Sequence, residues 1–378
     1  MKCVLSDIAD VTMGQSPKSE FYNSEGQGMP FLQGNRTFGK RYPVFDTYTT
    51  MPTKTAKAGD VIMSVRAPVG DLNFTPVDMC LGRGVCGIRM KNGNQDFLFY
   101  LLKYHMPQLL NKESGTVFGS VNRNDINGLE LDIPDDIEQQ RIARVLTMLD
   151  EKIENNDAIN ENLAEQARTM FQQWLTDATG SLCHLAEIAD INPETYSTKD
   201  NWEFVNYLDT SNITNGTIAE VQCIQPSQEK LPSRARRILR KNDIVYSTVR
   251  PNQLHYGIIS NPLPNMLGST GFAVIRSKRK TIPNEIIYLA LTDPTFVEKM
   301  HQLAEQSVST YPSIKPLDLN ACVIPEPQKD DTDFTNAIIT IFDSIASNNE
   351  ENRRLAELRD TLLPRLMSGE LDVSNLDL

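Results

Sequence analysis

The 378 residues contain no run of about 18 apolar residues, so no segment reads as a membrane-spanning helix. The opening MKCVLSDIAD lacks the apolar core of a secretory signal. Six cysteines, Cys3, Cys80, Cys86, Cys183, Cys223 and Cys322, are scattered without a Cys-x-x-Cys, which excludes a disulfide or zinc framework and reads as reduced thiols. A cytoplasmic, metal-free protein is expected. Only four histidines occur, and His105, His184, His255 and His301 have no Cys, Asp or His at ligand or triad spacing. The string Gly34–Lys40 (GNRTFGK) comes near to a phosphate loop, but Arg41 stands where Ser or Thr is needed and Pro43 blocks a following helix. Asp293-Pro294-Thr295-Phe296 lacks the second proline and the glycine-rich cofactor loop of an adenine methyltransferase, and reads as a helix start. With no catalytic constellation left, the chain is expected not to be an enzyme by itself.

What is present is a soluble composition, 40% apolar and 23% charged, on a chain long enough for more than one core. The net charge of −12 is unevenly spread. Residues 135–178 carry −6 and residues 326–378 carry −7, leaving +1 for everything else. The basic runs Arg234–Lys241 and Lys278–Lys280 leave room in that remainder for a phosphate-binding surface, although such runs are usually solvated faces.

The acidic segments share a pattern. From about Asp136 to Thr176, Ile142, Leu146, Leu149, Ile153, Asn156, Asn160, Leu163, Ala167, Met170 and Trp174 alternate steps of four and three, which is a heptad seam. Ile339, Phe342, Ile345, Asn348, Asn352, Leu355, Arg359, Leu362 and Leu366 repeat it, with three successive steps of three that overwind the pair locally. An intramolecular coiled coil follows, its asparagines facing each other to fix register; exposed asparagines in a frayed seam are the alternative.

The repeat extends into the rest of the chain. Leu5–Asp10 returns as Leu185–Asp190, Ala58–Pro68 as Lys241–Pro251, Gly84–Arg89 as Gly271–Arg276, and Asp132–Pro134 as Val323–Pro325. Each half is a module followed by one long helix. Strands are expected at Asp60–Val65, Ile244–Val249 and Phe272–Ile275, and helices at Asp96–Leu110 and Asn284–Leu303, with Pro107 and Pro294 marking an end or a kink.

This arrangement, with Glu138-Gln139-Gln140-Arg141-Ile142-Ala143 opening the first helix and Leu358-Arg359-Asp360-Thr361-Leu362-Leu363-Pro364 near the end of the second, resembles the specificity subunit of type I restriction-modification enzymes over essentially the whole chain. Gln328–Thr335 departs from the pattern in lacking the Glu-Gln pair. The resemblance implies an α+β fold of two tandem mixed α/β target-recognition domains, each followed by a long helix, the two helices pairing as an antiparallel coiled coil. The divisions are 1–134, the first recognition domain; 135–178, the central spacer helix; 179–325, the second recognition domain; and 326–378, the C-terminal helix and tail. It also implies double-stranded DNA with a split target sequence, two methyltransferase (modification) subunits and restriction/translocase subunits as partners, with no membrane. S-adenosylmethionine, ATP and Mg2+ would sit on those partners and no cofactor on this chain. A coiled-coil interaction scaffold without DNA readout is the alternative.

Base edges are read by Arg, Asn, Gln and Ser on loops. In the first module the candidates are Gln33, Asn35, Arg36, Ser64, Arg66, Ser120, Asn122 and Arg123; in the second, Asn212, Thr248, Arg250, Ser309 and Thr310. Arg66 and Arg250 stand out because each ends a strand of the duplicated segment near a proline; a scaffold role would be duplicated too. Val145, Ile159, Phe171, Ile338, Ile341 and Leu363 flank the seam and form a stripe wider than two helices cover, a candidate subunit interface. The alternative is that they rest on the chain's own modules.

Overall fold

The computed structural model describes residues 1–111, 119–177, 182–306, 312–326 and 331–373. The chain divides into two units, Met1–Ile153 with Arg353–Leu378, and Glu154–Asn352. The long helices Asp136–Asp177 and Thr332–Met367 each contribute residues to both. No helix among the described residues is long and apolar enough to cross a membrane.

In the first unit, four antiparallel strands lie in the order Ala9–Met13, Val85–Met90, Val61–Ser64, Leu72–Phe74. A second, five-stranded sheet contains one parallel pair, Met29–Leu32 beside Met79–Leu81. The second unit repeats both features: Ala189–Ile191, Phe272–Ser277, Asp243–Ser247, Tyr256–Ile259 in one sheet, and Val205–Leu208 parallel to Met266–Ser269 in the other. The strand centres are buried on both faces, which is why they read as short β-branched runs. Pro294 divides the segment expected as one helix into Asn284–Leu291 and Pro294–Glu305, with Asp293 capping the second by accepting from the Thr295 N–H.

A buried carboxylate is duplicated as well. Asp60 is 6% exposed and accepts from Arg89 Nε at 2.6 Å; Asp243 is fully buried and accepts from Arg276 at 2.6 and 2.8 Å. Each aspartate also closes its own turn, accepting the backbone N–H of Lys57 or Arg240 at 2.7 Å. In the second unit Glu194 joins, bridging Arg276 at 2.7 Å and Arg240 at 2.8 Å.

The long helices meet in both units. In the first, Ile142, Ala143 and Leu146 share a core with Leu363, Leu366 and Met367, and Asp150 accepts from Arg359 and from the Tyr100 hydroxyl, each at 2.6 Å. In the second, Trp174 stacks on Phe334 with centroids 5.0 Å apart, and Ala167, Phe171 and Ile338 enter the module core. There the amides do face each other. Asn156, 1% exposed, donates through Nδ2 to Asn352 Oδ1 at 2.9 Å and to Glu351 at 2.7 Å, and Asn348 donates to Asn160 at 2.8 Å.

The proposed subunit stripe needs correction. Phe171, Ile338 and Leu363 are buried in the chain's own cores, and Val145 and Ile341 are half-buried against them, so only Ile159, 48% exposed, keeps a free face. The extra width of the stripe is taken up by the modules' short helices and sheets.

Two outcomes are expected. Asn156→Asp removes both donated bonds and sets a carboxylate against Glu351, so thermal or denaturant unfolding should show a loss of roughly 1–3 kcal/mol, whereas Asn155→Asp, on an exposed position of the same helix, should be close to neutral. Hydrogen bonds from Arg240 and then Arg276 hold the Glu194 carboxyl down from 4.5 to about 2. A depressed carboxylate stabilises the fold above its unfolded value, and that stability is lost as pH falls through the folded one. The melting temperatures of the native chain and of Glu194→Gln should therefore differ at neutral pH and converge as pH drops from 4.5 towards 2. Parallel curves through that window would remove Glu194 from the acid response.

Candidate nucleic-acid interface

Three loops of the first unit line a cleft of about 810 Å3: Gln15–Ser16 after the strand Ala9–Met13, Gln33–Arg36 after Met29–Leu32, and Arg83 between Met79–Leu81 and Val85–Met90. Backbone bonds fasten them together. The Gly82 N–H donates to Leu32 O at 2.7 Å, the Gly84 N–H to Gln33 O at 2.9 Å, and the Gln15 N–H to Leu81 O at 2.8 Å. A Cβ on Gly82 would lie 2.6 Å from Gln33 Cα, and one on Gly84 2.6 Å from Gln33 O, so only glycine permits this approach.

The first-module candidates separate by environment. Gln33 is exposed in the cleft. Arg36 is exposed there too but is ion-paired with Asp46 at 2.6 Å, and that hydrogen bond holds the Asp46 carboxyl below the usual carboxylate range. Asn35 donates to Asp71 at 2.5 Å. Ser64 is fully buried; its hydroxyl donates to Pro68 O at 2.8 Å and accepts from the Asp71 N–H, which removes it from any DNA-facing set. Asn122 caps the turn Arg123–Asn127 by accepting two backbone N–H groups, leaving Arg123 exposed beside it.

Arg66 and Arg250 are both exposed but are not counterparts. Arg66 bridges Ser120, and the same bridge in the second unit joins Val249 to Ser313. The duplicated position of Arg66 is thus Val249, and Arg250 aligns with Ala67. Arg250 takes a left-handed conformation, φ 47°, with its N–H donating to Pro312 O at 3.0 Å. Thr248 is half-buried and donates through Oγ1 to Gly271 O at 2.9 Å, while Asn212 lies half-buried in the turn Thr210–Asn212. Ser309 and Thr310 lie outside the described residues. Ser16 and Arg83 escaped the reading of the sequence, although Gly82-Arg83-Gly84, a single side chain between two glycines, was a visible signal. No cluster of three or more metal-ligating side chains occurs among the described residues.

Residues 1–165 match the family model of the type I restriction modification DNA specificity domain. The type I restriction enzyme MjaIX specificity subunit of Methanocaldococcus jannaschii is 24% identical, over 98% of this chain and 93% of that one. The chain is similar to type I specificity subunits. A second protein of that organism, named provisionally as the type I restriction enzyme MjaX specificity subunit, is 38% identical over 44% of this chain, a match that spans only 40% of that relative. The crystal structure of a type I restriction-modification S subunit from M. genitalium shares the fold, with a TM-score of 0.60 at 16% identity over 99% of this chain and 96% of that one.

Arg250 offers a test that separates backbone from side chain. A non-glycine residue in the left-handed region costs about 1–2 kcal/mol, so Arg250→Gly should leave the melting temperature unchanged or raised. If its side chain reads a base edge, the same variant weakens recognition of one half-site by about 1–3 kcal/mol. Unchanged recognition of both half-sites would assign this arginine to the scaffold.

Proposed function

We propose that the chain reads a two-part DNA sequence, one half per module, and positions modification and restriction subunits on it. The observation that supports this most is the repetition of one backbone frame with different polar groups at its loop ends: Gln33 and Arg83 in the first unit, Asp209 and Thr270 in the second. A scaffold without DNA readout gives no reason to vary that position between copies. The helices act as an antiparallel coiled-coil spacer, a reading supported by the facing amides Asn156 and Asn352. The chain performs no chemistry itself. S-adenosylmethionine belongs to two methyltransferase subunits, ATP and Mg2+ to the restriction subunits, and the complex works in the cytoplasm. Exposed apolar side chains on the long helices, Ile137, Met148 and Leu358 in the first unit and Ile159 in the second, are the surfaces left for partner helices.

Co-expression with modification subunits and mapping of methylated sites should yield a split target. Inserting seven residues into each long helix, after Ala158 and after Asn349, adds about 10 Å, so the unread spacer should lengthen by about 3 base pairs while both half-sites stay the same. A contiguous target, or a spacer indifferent to helix length, would contradict the reading.

A further inference from the structure

Within the cleft, Ser16 ties two exposed side-chain positions together. Its hydroxyl donates to Gln33 Oε1 at 2.8 Å and accepts the backbone N–H of Arg83 at 3.1 Å. The serine proton goes to the amide oxygen, so Oε1 is the end of the Gln33 amide that faces Ser16. Oε1 turns inward, and Nε2, a pure donor, is left to the cleft. The Arg83 guanidinium is exposed and engages no hydrogen bond or ion pair among the described residues, whereas the neighbouring Arg36 is neutralised by Asp46. The cleft therefore presents donors from two side chains whose backbones are locked together by Gly82 and Gly84.

The second unit builds the same frame with other groups. Leu208 pairs with Gly268 where Leu32 pairs with Leu81, which places Asp209 at the position of Gln33 and Thr270 at that of Arg83. The close approach is also repeated, since a Cβ on Gly271 would lie 2.8 Å from Thr210 as one on Gly84 would lie 3.1 Å from Gly34. Asp209 is a pure acceptor: its Oδ1 takes the Ser211 N–H at 3.2 Å and the Ser211 and Thr210 hydroxyls at 3.1 and 3.4 Å, its Oδ2 takes, among the described residues, only the Tyr207 hydroxyl at 2.7 Å, and Thr270 is exposed. A duplicated frame that carries donors in one copy and an acceptor in the other matches the difference between base edges: guanine shows acceptors O6 and N7 in the major groove, whereas cytosine shows an amino donor.

We propose that Arg83 and Gln33 are specificity-determining residues of the first module, Arg83 selecting a guanine and Gln33 an adjacent acceptor edge, with Ser16 as their positioning residue, and that Asp209 occupies the corresponding reading position in the second module for an amino-bearing base. The assignment deepens the proposed function and rests on it. The test uses the full chain in complex with modification subunits, methylating a library of random duplexes, with the methylated products sequenced. The native complex comes first: if it selects no split target, the DNA-reading function fails, whatever the merits of this assignment. Given a split target, Arg83→Ala and Arg83→Lys should both relax one G·C position in one half-site by roughly ten- to hundredfold, since lysine keeps the charge but not the fork. Gln33→Ala should relax the neighbouring position, Ser16→Ala should weaken the preference at both, and Asp209→Asn should alter only the other half-site. Complex yield and melting temperature confirm that each variant folds. An unchanged sequence preference in Arg83→Ala overturns the assignment. A uniform loss of affinity that Arg83→Lys restores, with the preferred bases unaltered, also overturns it and makes Arg83 a phosphate contact.

Discussion

The apolar stripe on each long helix is wider than a two-helix seam can cover, and its outer members, Phe171 and Ile338 in one unit and Leu363 in the other, must be buried against something else. The modules provide that cover. The first core takes Ile142 and Leu146 from one helix and Leu366 and Met367 from the other, residues more than 200 positions apart, so it cannot close until the last helix has formed and returned. At about 1.5–3 kcal/mol for each fully buried large side chain, these contributions are comparable with the whole net stability of a domain. The long helices are therefore walls of the modules before they are anything else, and the Asp150, Arg359 and Tyr100 cluster adds a polar fastening on the same wall.

Elsewhere on the same helices the logic changes. Asn156 and Asn352 sit where leucine would contribute more, since a neutral hydrogen bond nets only about 0.5–1.5 kcal/mol. What an amide pair supplies is register: slipping either helix by a turn would leave buried donors unsatisfied, at a cost of about 1–3 kcal/mol each. Stability is concentrated where the helices meet the modules and register where they meet each other. A change of helix length in the middle can then leave both cores intact.

Much of this was legible in the residues. The spacing from Ile142 to Trp174 marked a helix at Asp136 to Thr176, and the helix runs from Asp136 to Asp177. Repeats such as Gly84–Arg89 and Gly271–Arg276 carried the duplicated strand and, with it, the buried pairs Asp60–Arg89 and Asp243–Arg276. The width of the stripe misled, because a helical period shows which residues need burial and not whether another chain or another part of the same chain supplies it. Arg66 and Arg250 misled for a related reason: proximity to a proline is a one-dimensional mark, and the strand bridges show a shift of one residue. Arg83 left a local mark in its flanking glycines, but its meeting with Gln33 depends on the parallel pairing of Met29–Leu32 with Met79–Leu81, and its meeting with Ser16 on the pairing of Ala9–Met13 with Val85–Met90, contacts across some 50 to 75 residues that no local pattern encodes.

Three cations of the basic runs in the second module are ion-paired at its surface. Arg240 is paired with Glu194 at 2.8 Å, Lys278 with Asp190 at 3.2 Å and Arg279 with Glu326 at 2.6 Å, while burial pulls the Arg237 guanidinium down. Non-specific affinity for DNA grows with the number of phosphates neutralised, and Glu194, Asp190 and Glu326 offset three of the cations that could contribute. Under the proposed function, cations paired in this way add less to the phosphate contacts that all sequences share. Base-edge contacts of the kind the cleft can make would then carry the selectivity.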